Sequence, residues 1–331
     1  MAASSWQRKI MRNRHVERIA LRLNTAKDWT LAQIITGLLA AAKKLPPEKS
    51  TDIAEKLGRR FAPILPRTKL AKKNLALAFP KKSEAEIDQL VREVWGHVAR
   101  TMAEYVFLDQ LFDFDPERPG EGRIDVIGID NFVKLRDGGR PAVIFTAHTG
   151  NWEILPVAAS TYDLEVTALF RPPNNRFLAE RVLKARRTEK GHLVPARAGV
   201  AWALSGVLEQ GGAVGLLADQ ALTRGDRIAF FGREATANPL AAKLARQFDC
   251  DIYPARCVRL PGGRFRLELH DAIDTPRTGD GSIDVKATTE MINEIMEGWV
   301  REYPAQWLWL HDRWKLKPLP KRRIKKPKTA Q

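Results

Sequence analysis

Between residues 124 and 303, short runs of β-branched and aromatic residues alternate with longer segments of helical periodicity. Strands are predicted at residues 124–129, 141–147, 164–170, 213–218, 252–260 and 264–270, and helices at residues 177–190, 200–210, 239–248 and 283–303. The run 141–147 is continuously apolar, as expected of a strand buried on both faces. This alternation predicts an α/β fold in which helices flank a mixed sheet.

The segment before this alternation, residues 48–112, has the periodicity of helices. Ile53, Leu57 and Phe61 recur at helical spacing, and several prolines divide the segment into shorter helices. We expect these helices to pack on the α/β body.

The positive charge of the chain is concentrated at its two ends. The 331 residues carry 55 Lys and Arg against 39 Asp and Glu, a formal net charge of +16. Residues 1–22 hold six basic side chains and one acid, and residues 313–331 hold nine basic side chains and no acid. Such clusters bind nucleic acid, anionic lipids or acidic proteins, or serve solubility alone. We divide the chain into a basic amphipathic segment (1–45), a main domain (46–312) and a basic tail (313–331).

Residues 29–42 form an apolar stretch interrupted by Gln33 and Gly37. The stretch is shorter than the roughly 20 residues that a membrane-spanning helix needs, and it lacks the pattern of a cleaved signal peptide. A helix lying in the membrane surface, with Trp6 and Trp29 as interfacial anchors, fits these features. A buried helix of a globular fold is the alternative.

Several classes of site are excluded by what the sequence lacks. Its two cysteines, Cys250 and Cys257, are too few for a disulfide scaffold or a cysteine-based zinc site, and we expect both to be buried. No phosphate-binding loop, dinucleotide-binding or nucleophile-elbow motif occurs, and the six histidines show no metal-ligand spacing. We therefore predict no metal, no cofactor and no covalent nucleophile.

The segment His148-Thr-Gly-Asn-Trp-Glu153 follows the buried strand at residues 141–147. Ligands of open α/β sheets bind at the carboxyl ends of the strands. A histidine there can accept a proton from an attacking hydroxyl, and Glu153 can hold the imidazole from across the Gly150 turn. The alternative is a structural histidine, with Glu153 at a helix N-terminus where acids are favoured.

Three later stretches could complete such a site. Arg171 follows a predicted strand and could bind a phosphate or stabilise an oxyanion, or lie in a solvated turn. Asp219 and Gln220 end another apolar strand, where they could contact a ligand or close a turn. Phe231, in an apolar Phe-Phe-Gly turn, could line an acyl groove or pack in the core.

These segments together resemble the late acyltransferases of lipid A biosynthesis, a family of the lysophospholipid acyltransferase superfamily. The family's H-x4-[DE] block is similar to residues 148–153, its arginine block to Phe170-Arg171-Pro-Pro-Asn-Asn175, and its third block to residues 212–220. Two further blocks match the Phe-Phe-Gly turn and residues 304–315. The resemblance thus consists of five ordered blocks.

The resemblance implies a glycerolipid acyltransferase-like fold on the cytoplasmic face of the inner membrane, attached peripherally or by a shallow anchor. It implies transfer of a fatty acyl chain from acyl carrier protein to a hydroxyl of a 3-hydroxyacyl chain on a lipid A precursor. His148 would be the general base and Glu153 its orienter. The implied substrate-binding residues are Asn151, Arg171, Asn174, Asp219, Gln220 and Phe231.

The basic ends of the chain agree with an acidic donor protein, an anionic acceptor and an anionic membrane surface. Two alternatives stay open. The same fold could acylate another membrane lipid, such as a lyso-lipid or a glycolipid. A nucleic-acid-binding protein is the other, but the body is near-neutral and lacks a recognisable nucleic-acid-binding motif, so we predict no nucleic-acid partner.

Overall fold

The computed structural model describes residues 5–170, 175, 177–179, 192–196, 199–223 and 225–314, with the backbone alone for residues 5–20. The helices are α1 (Ser5–Ala42), α2 (Pro47–Phe61), α3 (Thr68–Ala78), α4 (Glu84–Glu104), α5 (Leu108–Leu111), α6 (Ile129–Asp137), α7 (Ile154–Thr161), α8 (Val200–Glu209), α9 (Leu240–Phe248) and α10 (Val285–Glu302). The strands are β1 (Ile124–Ile127), β2 (Ala142–Thr146), β3 (Val166–Phe170), β4 (His192–Pro195), β5 (Ala213–Leu217), β6 (Asp226–Phe230), β7 (Arg233–Ala237), β8 (Asp251–Arg259) and β9 (Phe265–Leu269).

Seven strands form one mixed sheet in the order β1-β9-β8-β2-β5-β3-β4. Strands β8, β2, β5, β3 and β4 run parallel, whereas β9 is antiparallel to β8 and β1 is parallel to β9. Strands β6 and β7 form a separate antiparallel hairpin. The predicted α/β fold with a mixed sheet flanked by helices is therefore confirmed.

The predicted elements agree with the structure except at a few places. The strand expected at residues 124–129 ends at Ile127, because Gly128 adopts a left-handed conformation and α6 begins at Ile129. Strand β4 and the β6–β7 hairpin were not predicted. Of the helix expected at residues 177–190, only residues 177–179 are described, and they are helical.

Helix boundaries follow ordinary capping chemistry where the sequence offers a cap. The Ser83 hydroxyl accepts a hydrogen bond from the Glu86 N–H, and the Glu86 carboxylate accepts one from the Ser83 N–H, which starts α4 with a capping box. Asp284 likewise caps α10 by accepting from the N–H groups of Lys286 and Ala287.

The two faces of the sheet are packed differently. On β2, Val143 and Phe145 belong to the main core, where Phe145 stacks on Trp299 of α10 with ring centroids 5.8 Å apart. The alternate residues Ile144 and Thr146 line a cavity on the other face. Because side chains alternate along a strand, one apolar run supplies both a packed core and the wall of a cavity.

Helix α1 exposes much of its apolar surface, and its side chains Leu23, Ile34 and Leu38 are each more than half exposed. Ala32 of the same helix is fully buried. Among the residues that the structure describes, none of the helices combines the length and hydropathy needed to cross a bilayer.

Candidate active site

His148 and Asp219 are brought together by the register of two neighbouring parallel strands. Ala142 of β2 pairs with Ala213 of β5, and the pairing continues to Thr146 opposite Leu217. His148 and Asp219 each lie two residues beyond these paired ends, so they leave the same edge of the sheet side by side. This is the edge at which ligands of parallel sheets bind.

The Asp219 carboxylate contacts both the ring and the backbone of His148. Its Oδ1 lies 2.7 Å from His148 Nδ1, and its Oδ2 accepts a hydrogen bond of 3.0 Å from the His148 N–H. Trp307 Nε1 donates a third hydrogen bond, of 2.7 Å, to Asp219 Oδ2. The imidazole side chain is 14% exposed, and no hydrogen bond from a described residue reaches its Nε2.

The charge of this pair is set by burial and by contact. Burial by itself would raise the pKa of Asp219, but the charge and hydrogen bonds of His148 outweigh burial and lower that pKa. Asp219 is therefore a carboxylate at neutral pH. A carboxylate at Nδ1 favours the tautomer with a proton there, which leaves Nε2 as an acceptor.

Glu153, the carboxylate expected to hold the imidazole, makes other contacts. Its Oε1 accepts hydrogen bonds from the Tyr105 hydroxyl (2.5 Å) and from Trp152 Nε1 (2.7 Å). The Trp152 ring meets the His148 ring edge-on, with centroids 4.9 Å apart. The structure therefore gives Asp219 the contact that the sequence suggested for Glu153, and it links Glu153 to the imidazole through Trp152.

The loop between these groups turns sharply at Gly150, which has φ of +57°. A Cβ at this position would lie 2.2 Å from the carbonyl oxygen of Cys257 in β8. Glycine is therefore required by both the left-handed backbone and the close approach of β8. The turn lets the chain reverse over the end of β2 and begin α7.

A buried polar network fixes the far side of the loop. Glu104 of α4 accepts hydrogen bonds from Asn151 Nδ2 (2.9 Å), Arg259 Nη2 (2.8 Å) and Arg100 Nε (3.3 Å). Asn151, expected to contact substrate, is fully buried, and its Oδ1 accepts from the Glu153 N–H. Removing Glu104 would leave Arg259 buried without a carboxylate partner among the described residues, and an unpaired buried charge typically costs about 3–5 kcal/mol.

An apolar cavity of about 520 Å³ opens beside the loop, on the sheet face opposite the main core. Trp152 and Glu153 form part of its wall. Its apolar lining comes from the sheet and from α5, α6 and α7, and includes Leu108, Phe112, Phe132, Ile144, Leu155 and Leu267. Cavities of this size and character bind small apolar ligands or portions of larger ones.

The remaining predicted site residues are placed in different ways. Gln220 is half-buried and follows Asp219 at the same sheet edge. Phe231 lies in the β6–β7 turn, 7% exposed, with its ring 5.3 Å from that of Phe79, so it packs in the core. Arg171 and Asn174 lie outside the described residues. Within the described ranges, no group of three or more His, Cys, Asp or Glu side chains is arranged to hold a metal ion.

The sequence matches the bacterial lipid A biosynthesis acyltransferase family over residues 19–316. The chain belongs to this family. It is an acyltransferase, and the five sequence blocks that indicated the family lie within the matched region. The assignment rests on most of the chain, including the loop with His148 and the segment with Trp307.

Two relatives of this acyltransferase differ in the acceptor that their names give. The phosphatidylinositol mannoside acyltransferase of Mycolicibacterium smegmatis is 28% identical over 262 residues, 78% of this chain and 83% of the relative. The lipid A biosynthesis palmitoleoyltransferase of Escherichia coli is 26% identical over 289 residues, 86% of this chain and 90% of the relative. A lipid A biosynthesis acyltransferase of Shigella flexneri matches equally well.

Several residues of this site were not identified as such from the sequence. Four of them reach the loop from distant parts of the chain: Glu104, Tyr105, Arg259 and Trp307. Only Trp307 belongs to one of the five sequence blocks that indicate the family. One signal for the Asp219 contact was available: residues 142–148 and 213–219 both read Ala-Val-x-x-x-Ala before the polar residue. Two such strands in register place their final residues together.

Proposed function

We propose that this acyltransferase moves a fatty acyl chain from acyl carrier protein to a hydroxyl of a 3-hydroxyacyl chain on a lipid A precursor. His148 Nε2 accepts the proton of that hydroxyl as its oxygen attacks the thioester carbonyl carbon. The carbon–sulfur bond then breaks, and the departing thiolate takes the proton from the imidazolium. The ester formed and the thiol released balance the hydroxyl and thioester consumed.

The observation that carries this mechanism is the contact between His148 Nδ1 and Asp219, with Nε2 on the other side of the ring. Asp219 stabilises the imidazolium as it forms and maintains the required tautomer. Glu153 acts as a positioning residue, since it holds Trp152 against the imidazole ring. Arg171, Asn174 and Gln220 stay predicted substrate contacts at the same edge.

The apolar cavity supports the proposal that the transferred group is a long acyl chain. It adjoins the loop of His148 at Trp152 and Glu153, and its remaining wall is mainly aliphatic and aromatic. Each methylene buried contributes about 0.8 kcal/mol, so the depth of the cavity selects chain length. We propose that the donor chain occupies it while the thioester lies at the sheet edge.

The location of the reaction follows from the acceptor. We propose that the protein works at the cytoplasmic face of the inner membrane, held there peripherally by the basic segment 1–45 and the basic tail 313–331. The exposed apolar side chains of α1 support this attachment. The surplus of positive charge favours an acidic donor protein and an anionic acceptor.

Acylation of a different membrane lipid is the second candidate. It is favoured by one finding, the 28% identity to an enzyme named for a phosphatidylinositol mannoside acceptor. The catalytic groups described here act on any lipid hydroxyl, so the two candidates share a mechanism and differ only in the acceptor.

Mass spectrometry of lipid A from a strain that lacks the gene tests the proposal. We expect one secondary acyl chain to be missing, and complementation with the native gene to restore it while His148→Ala does not. Purified native protein, His148→Ala and Glu153→Ala are then assayed with acyl carrier protein thioesters. An unchanged lipid A profile, with transfer to another lipid in vitro, would favour the second candidate. Normal turnover by His148→Ala would refute the mechanism.

A further inference from the structure

Helix α2 is oriented with its apolar residues toward solvent. Its buried residues are Ser50, Thr51 and Gly58. Large apolar side chains lie on the outer side: Ile53 is 48% exposed, Leu57 51%, Phe61 47% and Ile64, just after the helix, 79%. We call these four residues the α2 apolar face. Amphipathic helices of globular proteins ordinarily bury such a stripe, so this face is unusual for a helix that packs on a domain.

Close packing and ion pairs fix this orientation. A Cβ on Gly58 would lie 2.4 Å from the carbonyl oxygen of Trp95 in α4, so only glycine allows the two helices to approach so closely. Arg100 of α4 binds Asp52 at 2.5 Å and Glu55 at 2.8 Å. Rotating α2 to bury its apolar face would break both contacts and separate the helices.

Basic residues border the apolar face. Lys49, Lys56 and Arg60 are exposed, and at 100° per residue they lie within about 70° of Ile53 on the helix surface. An apolar stripe beside a row of Lys and Arg is the composition of a helix that lies in the surface of an anionic bilayer. Such cations are attracted to anionic headgroups.

We propose that the α2 apolar face inserts among the lipids of an anionic bilayer, with Lys49, Lys56 and Arg60 on the headgroups. This is a second membrane contact, separate from the segment 1–45. It rests on the proposed function, in which the acceptor is a membrane lipid. The contact is tied to the active site, because Arg100 joins α2 to Glu104 and Glu104 holds Asn151 in the loop of His148.

A fluorescent label on α2 tests the insertion directly. Both native cysteines are buried, Cys250 at 5% and Cys257 at 1% exposure, so an environment-sensitive dye reacts mainly with an introduced thiol. The full chain carrying Leu57→Cys is labelled and mixed with vesicles of phosphatidylglycerol and phosphatidylethanolamine. We expect a blue shift and a brighter emission, and neither change for the exposed control Lys243→Cys on α9.

This measurement separates α2 from the other basic and apolar segments. If the labelled Leu57→Cys protein pellets with the vesicles while its emission stays unchanged, segment 1–45 or the tail binds the membrane without α2, and the proposal is wrong. Acyl transfer by the native protein is measured separately. If labelled Leu57→Cys shows the blue shift but the native protein transfers no acyl chain to a lipid A precursor, the membrane contact is supported and the proposed acceptor is refuted.

Vesicle affinity gives the second test. The variant Leu57→Glu/Phe61→Glu should bind anionic vesicles about tenfold or more weakly, because two inserted side chains are replaced by repelled charges. The control Leu222→Glu, at another exposed leucine, should bind as the native protein does. Acyl transfer to a detergent-dispersed acceptor should be the same in all three proteins.

A second copy of the chain is the other occupant that an apolar face of this kind could bind. Sedimentation velocity without lipid distinguishes it. A dimer that forms in the native protein and is lost in Leu57→Glu/Phe61→Glu would reassign the α2 apolar face to self-association and overturn the membrane proposal. A monomer at all concentrations would support it.

Discussion

Asp219 and Glu153 are both buried carboxylates beside the loop that carries His148, but they contact it from different sides. Asp219 leaves the neighbouring strand β5 and touches the imidazole and the backbone of His148. Glu153 lies on the loop itself, accepts hydrogen bonds from Tyr105 and Trp152, and forms part of the wall of the apolar cavity. One carboxylate therefore faces the proposed reacting group and the other faces the proposed acyl site.

The difference shows that closeness along the chain is a poor guide to contact in a parallel sheet. Glu153 is five residues from His148, and the Gly150 turn carries it away from the ring. Asp219 is 71 residues away, and the register of β2 and β5 brings it to 2.7 Å from Nδ1. In such folds a base and its partner come naturally from adjacent strand ends.

The largest effect expected is that of Asp219→Asn. An amide at this position cannot stabilise the imidazolium, so we expect kcat to fall about 10²–10⁴-fold. Steady-state transfer from acyl carrier protein thioesters measures the loss, with Asp130→Asn as an exposed control and circular dichroism to monitor folding. Turnover close to that of the native protein would remove Asp219 from the mechanism and return the orienting role to Glu153.

Trp307→Phe tests how the Asp219 carboxylate is held. The substitution keeps an aromatic ring but removes the donor to Asp219 Oδ2, and losing a hydrogen bond to a buried charge costs about 1.5–3 kcal/mol of unfolding free energy. The matched control is Trp309→Phe, because Trp309 Nε1 donates to the neutral carbonyl of Pro304 at the same distance of 2.7 Å. Denaturant titration should show the larger loss for Trp307→Phe. Equal losses would mean that the charge of Asp219 adds nothing to this contact.

The sheet edge and the position of His148 could be predicted from the sequence because both depend on local pattern. A continuous apolar run followed by polar residues marks the end of a buried strand, and this pattern holds for β2 and β5 alike. The polar network of Glu104 and Arg259 could not be predicted in this way. Its members are separated by 155 residues, and neither belongs to a local motif.

Helix α2 shows a second limit of sequence pattern. The spacing of Ile53, Leu57 and Phe61 predicted a helix with an apolar side, and the helix is present. The helix packs against α4 as expected, but it does so through Ser50, Thr51 and Gly58, and its apolar side lies outward. Periodicity indicates that a helix has two faces, but the partner of each face depends on packing, here on Gly58 against Trp95.

Glu153→Gln is expected to have a smaller effect than Asp219→Asn. The amide oxygen can still accept hydrogen bonds from Tyr105 and Trp152, so Trp152 stays against His148 and kcat should fall no more than about tenfold. Because Glu153 lines the cavity, a change in preference among donors of different chain length should accompany it. Competition between donor thioesters measures that preference. A loss of kcat as large as that of Asp219→Asn, with no change in donor preference, would give the two carboxylates the same role.

The smallest effect expected concerns two partly buried histidines, one on each side of the loop. His311 lies against Trp307 with ring centroids 5.0 Å apart, and burial lowers its pKa to about 4. Burial likewise lowers the pKa of His97, near Glu104, to about 4. Since the unfolded chain binds these protons near pH 6.5, the native state loses stability as the pH falls from about 6.5 to about 4.

We therefore expect His311→Leu, relative to the native protein, to be about 1 kcal/mol more stable at pH 5.8 than at pH 7.5. His97→Leu should behave in the same way. The two histidines should respond differently when Asp219→Asn is added. The negative charge of Asp219 partly offsets the fall in the pKa of His311, but it is not among the main influences on the pKa of His97. Denaturant titrations across this pH range should thus show that Asp219→Asn extends the His311 contribution to lower pH and leaves that of His97 unchanged. Equal shifts for both histidines would mean that Asp219 acts on the whole fold rather than on its own side of the loop.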